Sequence, residues 1–189
     1  PGTRPYQQIP FQWSLHHLDA DGKITHRWFL ADGQTDPRRA LVTSLIEAVG
    51  GSTDPVLAYN AAFEAKVLRQ LADHLPDLAD TLRTIEARLA DPLKVVRDHV
   101  YFPAFKGSFS LKTVAPVLVS GFGYSDLSAV ANGGDASSVF PRIVMGALAA
   151  EENEEALRAA LLAYCARDTE ALMAVHLRLR SLCPEPVTA

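Results

Sequence analysis

The chain has only two cysteines, two tryptophans and two methionines among its 189 residues. Cys165 and Cys183 supply neither a disulfide framework nor a zinc-ligand spacing, which excludes a small cross-linked scaffold and a zinc ribbon. A basic excess is also missing. Eighteen Lys and Arg stand against 22 Asp and Glu, for a formal charge of −4 and a pI near 5.8. Proteins that grip duplex nucleic acid through its phosphates carry the opposite balance. Any nucleic-acid chemistry here must be local, with a metal cation supplying much of the positive charge. No apolar run is long enough to cross a bilayer and no signal-peptide pattern is present, so the expectation is no membrane and a cytoplasmic setting.

What is present is ordinary globular composition, 48% hydrophobic and 21% charged, enough for one domain with a real core. The opening residues, Pro1 to Pro10, are rich in Pro and Gln and read as extended. The start at Pro1 without methionine reads as a piece of a longer polypeptide. Phe11 to His16 alternates apolar and polar, Asp19 to Gly22 is a turn, and Ile24 to Leu30 reads as the returning strand of a hairpin.

Asp36-Pro37 opens a helix with Leu41, Leu45 and Val49 on one face, ended by Gly50-Gly51. Val56 to Tyr59 suits a strand buried on both faces. Asn60 closes it and begins a helix with apolar positions Phe63, Val67, Leu68 and Leu71. Pro76 breaks that helix, and a second follows through Leu78, Leu82, Ile85 and Leu89. An aromatic loop, Tyr101 to Phe109, precedes a helix from Leu111 to Leu118 that Ser110 can cap. Gly121 to Asp135 reads as a polar connection, with helix from near Ala136 to Ala150 and a last helix from the acidic Glu151 to Glu155 stretch to about Leu182. The order of elements is an α/β pattern.

Two features carry chemistry. Asp168 falls on the apolar stripe of the last helix, seven residues after Leu161 and seven before Val175. A carboxylate on such a face is costly unless a cation or metal pairs with it. Tyr164 stands one turn earlier on the same side. The plain alternative is a pairing of Asp168 with Arg167 or Arg97. The second feature is Asn60-Ala61-Ala62-Phe63-Glu64 at the end of a strand, where sites in open α/β sheets form. The plain alternatives there are an N-cap (Asn60) and an acid in a first helical turn (Glu64).

Tyr59 to Glu64 resembles the second motif of the DEDD exonuclease superfamily, and Tyr164-Cys165-Ala166-Arg167-Asp168 resembles its third motif in the tyrosine variant. Ser110-Leu111-Lys112 is similar to a helix start common in those nucleases. Over nearly its whole length the chain also resembles a bacterial family of unknown function, number 2779, through Gly2 to Ser14 and through Asp98 to Lys112. The superfamily resemblance implies a ribonuclease-H-like mixed sheet flanked by helices, residues 1–189 forming one exonuclease-type domain that is N-terminally incomplete. Its first, central strand, which carries an Asp-x-Glu motif, has no counterpart ahead of the hairpin.

That resemblance implies two Mg²⁺ or Mn²⁺ ions roughly 3.5–4 Å apart held by carboxylates. Glu64 and Asp168 match metal ligands, and Tyr164 matches the residue that orients the attacking water. Asn60, Phe63, Lys106, Ser110 and Lys112 fall on the substrate side. Glu64 departs from the usual Asp by one methylene. The implied activity is 3′–5′ exonuclease-like hydrolysis in a complete parent protein, with this chain nearly inactive alone. The implied partners are single-stranded nucleic acid and an upstream nuclease domain of the same parent. From the residues themselves two alternatives stand: a non-catalytic module that binds single-stranded nucleic acid or a protein partner, and a structural half completed by another chain, as in a homodimer. Tyr101, Phe102, Phe105 and Phe109, interleaved with Arg97, His99, Lys106 and Lys112, read either as base-stacking residues or as core plugs.

Overall fold

The computed structural model describes residues 8–124 and 133–183, with only the backbone of 133–136. The expected extended start and most of the Gly121 to Asp135 connection lie outside the described residues. The rest is a mixed α/β arrangement of small sheets and seven helices.

The hairpin forms as its alternation dictates. Strand β1 (Gln12–Leu18) pairs antiparallel with β2 (Ile24–Leu30), Gln12 opposite Leu30 and Leu18 opposite Ile24. Its turn is closed by Asp19, whose carboxylate accepts the amides of Asp21 at 3.0 Å and Lys23 at 2.8 Å. Gly22 there has φ 81°, a conformation that a side chain would strain. Because side chains alternate across a strand, β1 presents two faces to two different layers. Trp13 donates its indole N–H to Leu41 O at 3.2 Å and Ser44 Oγ at 3.0 Å on α1 (Arg38–Val49). On the other face Gln12 donates to Leu161 O at 3.3 Å, and Ser14 and His16 each reach Thr169 Oγ1 at 2.8 Å, all on α7 (Glu154–Leu182). His17, on the opposite face from His16, is exposed.

A second sheet follows. Strand β3 (Val56–Leu57) leads into α2 (Ala62–His74), a short 3₁₀ turn at Pro76–Leu78 and α3 (Ala79–Ala87). Leu89 then joins β4 (Leu89–Ala90), which pairs parallel with β3, Val56 opposite Leu89. Leu89 is therefore not the last apolar position of a helix, as its spacing suggested. A two-residue strand is too short to show a period of its own. β3 is also only half-buried, where its apolar run predicted burial on both faces.

Helix α4 (Pro92–His99) begins at Asp91, which caps it by accepting Leu93 N at 3.0 Å, with Pro92 in the first turn. Ser110 caps α5 (Leu111–Leu118) as expected, accepting Thr113 N at 3.3 Å. α6 (Gly133–Val144) starts slightly earlier than the pattern suggested and stops well before Ala150. The stop has a cause: Gly146 turns the chain at φ 63°. Asn153 then caps α7 by accepting Ala156 N at 2.8 Å, and Glu152, ahead of that helix, pairs with Arg142 at 2.7 Å.

Three apolar clusters hold these elements. One joins α1, α2 and α3 around Val42, Leu71 and Leu82, with Trp13 and Phe29 packed against it. A second seats Ala31, Phe140, Ile143, Leu161 and Tyr164 between the hairpin, α6 and α7. The third packs Val96, Phe105, Val114, Ala171 and Val175 of α4, the aromatic loop, α5 and α7. The loop's aromatics thus divide. Phe105 is fully buried and Phe109 half-buried, whereas Tyr101 is 74% exposed and Phe102 41%. Accordingly, Phe105→Ala should cost about 3–5 kcal/mol in urea denaturation, while Tyr101→Ala should change stability by no more than about 0.5 kcal/mol.

Candidate functional site

A cleft of about 1410 Å³ runs between the two sheets, and its wall is mainly apolar. One side is the run from Gln8 to Leu15, which is β1 and its approach; the facing side is the run from Val56 to Asn60, which is β3 and its exit. Side chains of α7, among them Tyr164, Asp168 and Leu172, and of α1 and α2, among them Leu41, Leu45 and Leu68, complete its wall. The cleft brings Glu64 and Asp168 to the same cavity, together with Asn60, Phe63, Ser110, Lys112 and Tyr164. Lys106 is exposed and does not line it.

Glu64 reaches the cleft because of how β3 ends. Asn60 adopts φ 69°, a left-handed conformation that asparagine tolerates better than most residues. It is not the N-cap; that position is Ala61, with no side-chain cap. The capping work passes to Asp91, which accepts Asn60 N at 2.9 Å and Ala61 N at 3.2 Å besides its own helix's Leu93 N at 3.0 Å. One carboxylate thus ties the ends of β3 and β4 together. Glu64 lies in the first turn of α2, as the sequence suggested, but it is not a solvated dipole partner. Its Oε2 is buried with no hydrogen-bond partner. Burial pushes its carboxyl above the ordinary range, against its backbone hydrogen bond, and nearby Asp91 adds to the rise. Phe63 beside it is 52% exposed, so it covers the turn from outside and does not fill the core.

Asp168 departs from its plain alternative. Arg167 pairs with Glu170 at 3.2 Å and Arg97 with Asp98 at 3.3 Å. Asp168 instead faces Tyr124, Tyr164 and Lys112. Burial again raises its carboxyl above the usual value, partly opposed by the two phenols and the Lys112 ammonium. Lys112 Nζ sits 4.7 Å from the Tyr164 ring centroid and 5.5 Å from that of Tyr124, a cation held over two aromatic faces. The Tyr124 hydroxyl is buried next to Asp168 but out of hydrogen-bonding geometry; burial, and then Asp168, drive its pKa up. Tyr124 and Asp91 are the two site residues that sequence reasoning missed. The Asp-Pro pair at 91–92 was a cap signal; for Tyr124, in a Gly-rich loop, no periodic signal exists.

The carboxylate oxygens of Glu64 and Asp168, both lining the cleft, are of the kind that suits a hard divalent cation. The orphaned Glu64 oxygen is the kind of atom such a cation would satisfy. Among the described residues no three His, Cys, Asp or Glu side chains come together, so the two acids need further ligands to hold an ion. Cys165 also lines the cleft, but burial pushes its thiol up to about 11, which removes it as a thiolate nucleophile near neutrality.

The two raised acids fix a sign. A carboxyl whose folded pKa exceeds its unfolded one stabilises the fold below the unfolded value, and that contribution is lost as pH rises through the folded value. Glu64→Gln and Asp168→Asn should therefore raise stability at pH 7, by about 1 kcal/mol each. The advantage should shrink as pH falls below about 4, where the wild-type acids are protonated in both states. Thermal melts across pH 3–8 check this; a loss of stability at pH 7 would contradict it.

No curated protein and no solved structure matches the chain. Among the described residues no helix is long and apolar enough to cross a membrane. A family model matches residues 1–110, a stretch that includes β1, Glu64, Asp91 and the Ser110 cap, and by it the chain belongs to the family described as domain of unknown function DUF2779.

Proposed function

We propose that the chain is the greater part of a two-metal nuclease-type domain with a ribonuclease-H-like fold whose first strand is not among these residues. Its complete parent would hydrolyse phosphodiesters of single-stranded nucleic acid, in the manner of a 3′–5′ exonuclease. The observation that carries the reading is that Glu64 and Asp168 line one cleft, both desolvated, one with an oxygen that has no hydrogen-bond partner. Structural acids are normally paired or solvated. Perturbed acids in a cleft are what a functional site leaves behind.

Glu64 and Asp168 would hold Mg²⁺ or Mn²⁺ together with carboxylates from outside this chain. The bound ions would supply an activated water and neutralise the leaving oxygen. The chain's own residues supply the setting. Tyr164 places its phenol beside Asp168, within reach of a water to be oriented there. Lys112 holds a positive charge against the two phenol rings, on the side where a phosphate would lie. Asn60 and Phe63 shape the mouth of the cleft at the start of α2.

A second reading, a non-catalytic module for single-stranded nucleic acid, draws on the exposed Tyr101 and Phe102 beside exposed Lys106. The two separate by experiment. With single-stranded DNA and RNA, Mg²⁺ or Mn²⁺ and the parent protein, Asp168→Asn should abolish hydrolysis, and Tyr164→Phe should slow it by about 100-fold. Tyr101→Ala should weaken binding by about 1–3 kcal/mol only if the second reading holds. Undiminished hydrolysis by the Asp168→Asn parent would overturn the catalytic reading.

A further inference from the structure

The hairpin and α7 share four polar side chains that the proposed reaction does not use. His16 of β1 stands directly opposite His26 of β2, and their rings stack at 4.4 Å between centroids and 19° between planes. His26 Nε2 lies 2.8 Å from Ser14 Oγ, Ser14 Oγ 2.8 Å from Thr169 Oγ1, and Thr169 Oγ1 2.8 Å from His16 Nδ1. The chain of bonds leaves one ring, crosses two hydroxyls and returns to the other ring. Thr169 Oγ1 is also 3.1 Å from Ala166 O, the back-bond that a threonine makes inside a helix. Its one hydroxyl proton can go to Ala166, His16 or Ser14, so the chain stays bonded with both rings neutral or with one charged.

We infer that this chain is a proton-operated latch: it holds one imidazolium and no more, so a second proton separates the rings, parts His16 from Thr169 and frees the tip of the hairpin from α7. Two like charges at the stacking distance repel. His26 is exposed and open to the first proton, whereas His16 is half-buried. Burial first, and then His26, holds the His16 pKa below its ordinary value, against the pull of Glu170 on α7. That pull is shared, because Glu170 pairs with Arg167 at 3.2 Å. Arg27, beside His26 on β2, turns to the other face and donates to Glu47 O of α1 at 3.0 Å. The lowered value fixes the sign: the contribution of His16 to stability is complete above about 6.5 and is lost as pH falls. Thr169 is the hub. Among the described residues β1 side chains bond to α7 at Leu161, through Gln12, and at Thr169, through Ser14 and His16. The Gln12 end is also seated in the apolar cluster around Leu161, with Phe11 stacked on Phe140 at 4.2 Å. Toward the turn the β2 positions on that face, Ile24, His26 and Trp28, are exposed, so the polar chain is what meets α7 there. The inference rests on two imidazoles and two hydroxyls, and not on Glu64 or Asp168.

The test follows two nuclear Overhauser contacts in the wild-type chain as pH is lowered from about 8 to about 5, the range in which histidine changes charge. The contact between the His16 ring and the Thr169 methyl group should be present at the upper end and weaker by at least about tenfold at the lower end. The contact between Phe11 and Phe140 should persist throughout. His26→Phe keeps a ring for the stack and removes one charge, so release should move to lower pH. His26→Gln removes ring and charge alike and should move it the same way, which covers the case of a Phe variant that does not fold. Thr169→Val deletes the hub and should weaken the contact with His16 even at the upper pH. The Glu64→Gln, Asp168→Asn double variant should release at the same pH as the wild type, which separates the latch from the metal-dependent reading. A His16–Thr169 contact that survives to the lower pH would overturn the latch. So would release at an unchanged pH in both His26 variants, or loss of the Phe11–Phe140 contact in step with it, which is general acid unfolding.

Discussion

Backbone hydrogen bonding is the constraint on which the rest of this structure depends. A strand edge carries donors and acceptors that must be met by water or by another chain. Among the described residues two such edges, one on β1 and one on β3, border one mainly apolar cleft. Everything else is arranged about that cleft. α1 takes one face of the hairpin through Trp13, and α7 takes the other through Gln12, Ser14 and His16. α2 starts where β3 leaves the cleft, and this puts Glu64 there. α7 runs along the far wall, and this puts Tyr164 and Asp168 there. The position of the acids follows from the sheet geometry and not from any local motif.

The electrostatics follow from the same arrangement. Glu64 and Asp168 are desolvated because they stand at an apolar cleft. The cation that does approach, Lys112, is divided between two phenol rings and the Asp168 carboxyl. A paired carboxylate would sit below its ordinary pKa, as Asp36 does beside Arg38, at about 2. The contrast within one chain matters. Where this protein uses an acid structurally, it supplies the partner: Asp36 has buried Arg38, Asp91 has three amides, and Glu152 has Arg142 and the Ala149 amide. At the cleft Glu64 keeps an oxygen with no hydrogen-bond partner.

How much of this was legible depended on whether the cause was local. The Ser110 cap, the Asp19–Gly22 turn and the start of the last helix were legible because each is decided within four or five residues. Asp168 was legible as an anomaly, since seven-residue spacing from Leu161 and Val175 places it on an apolar stripe whatever the fold. Its partners were not. Tyr124 comes from a loop with no periodicity, and Lys112 from a helix start whose direction only the tertiary fold determines. Strand β4 was hidden for a different reason: Leu89 and Ala90 continue the apolar spacing of α3, and only pairing with Val56 and Leu57 makes them a strand. Asp91 caps its own helix by a local bond, but only long-range contact gives it the Asn60 and Ala61 amides as well, and so control of the turn that aims Glu64.

The cleft and its acids are coupled by solvation. Glu64 and Asp168 stand at a mainly apolar wall that withdraws solvent from their charged forms, and this raises both carboxyls. A carboxylate short of solvent gains more from a proton or a cation than an exposed one does, because an isolated buried charge is costly. Whatever dried the cleft further would strengthen that preference, and by reciprocity a bound cation would favour the drier cleft. As pH rises, the proton would yield to a cation in that competition.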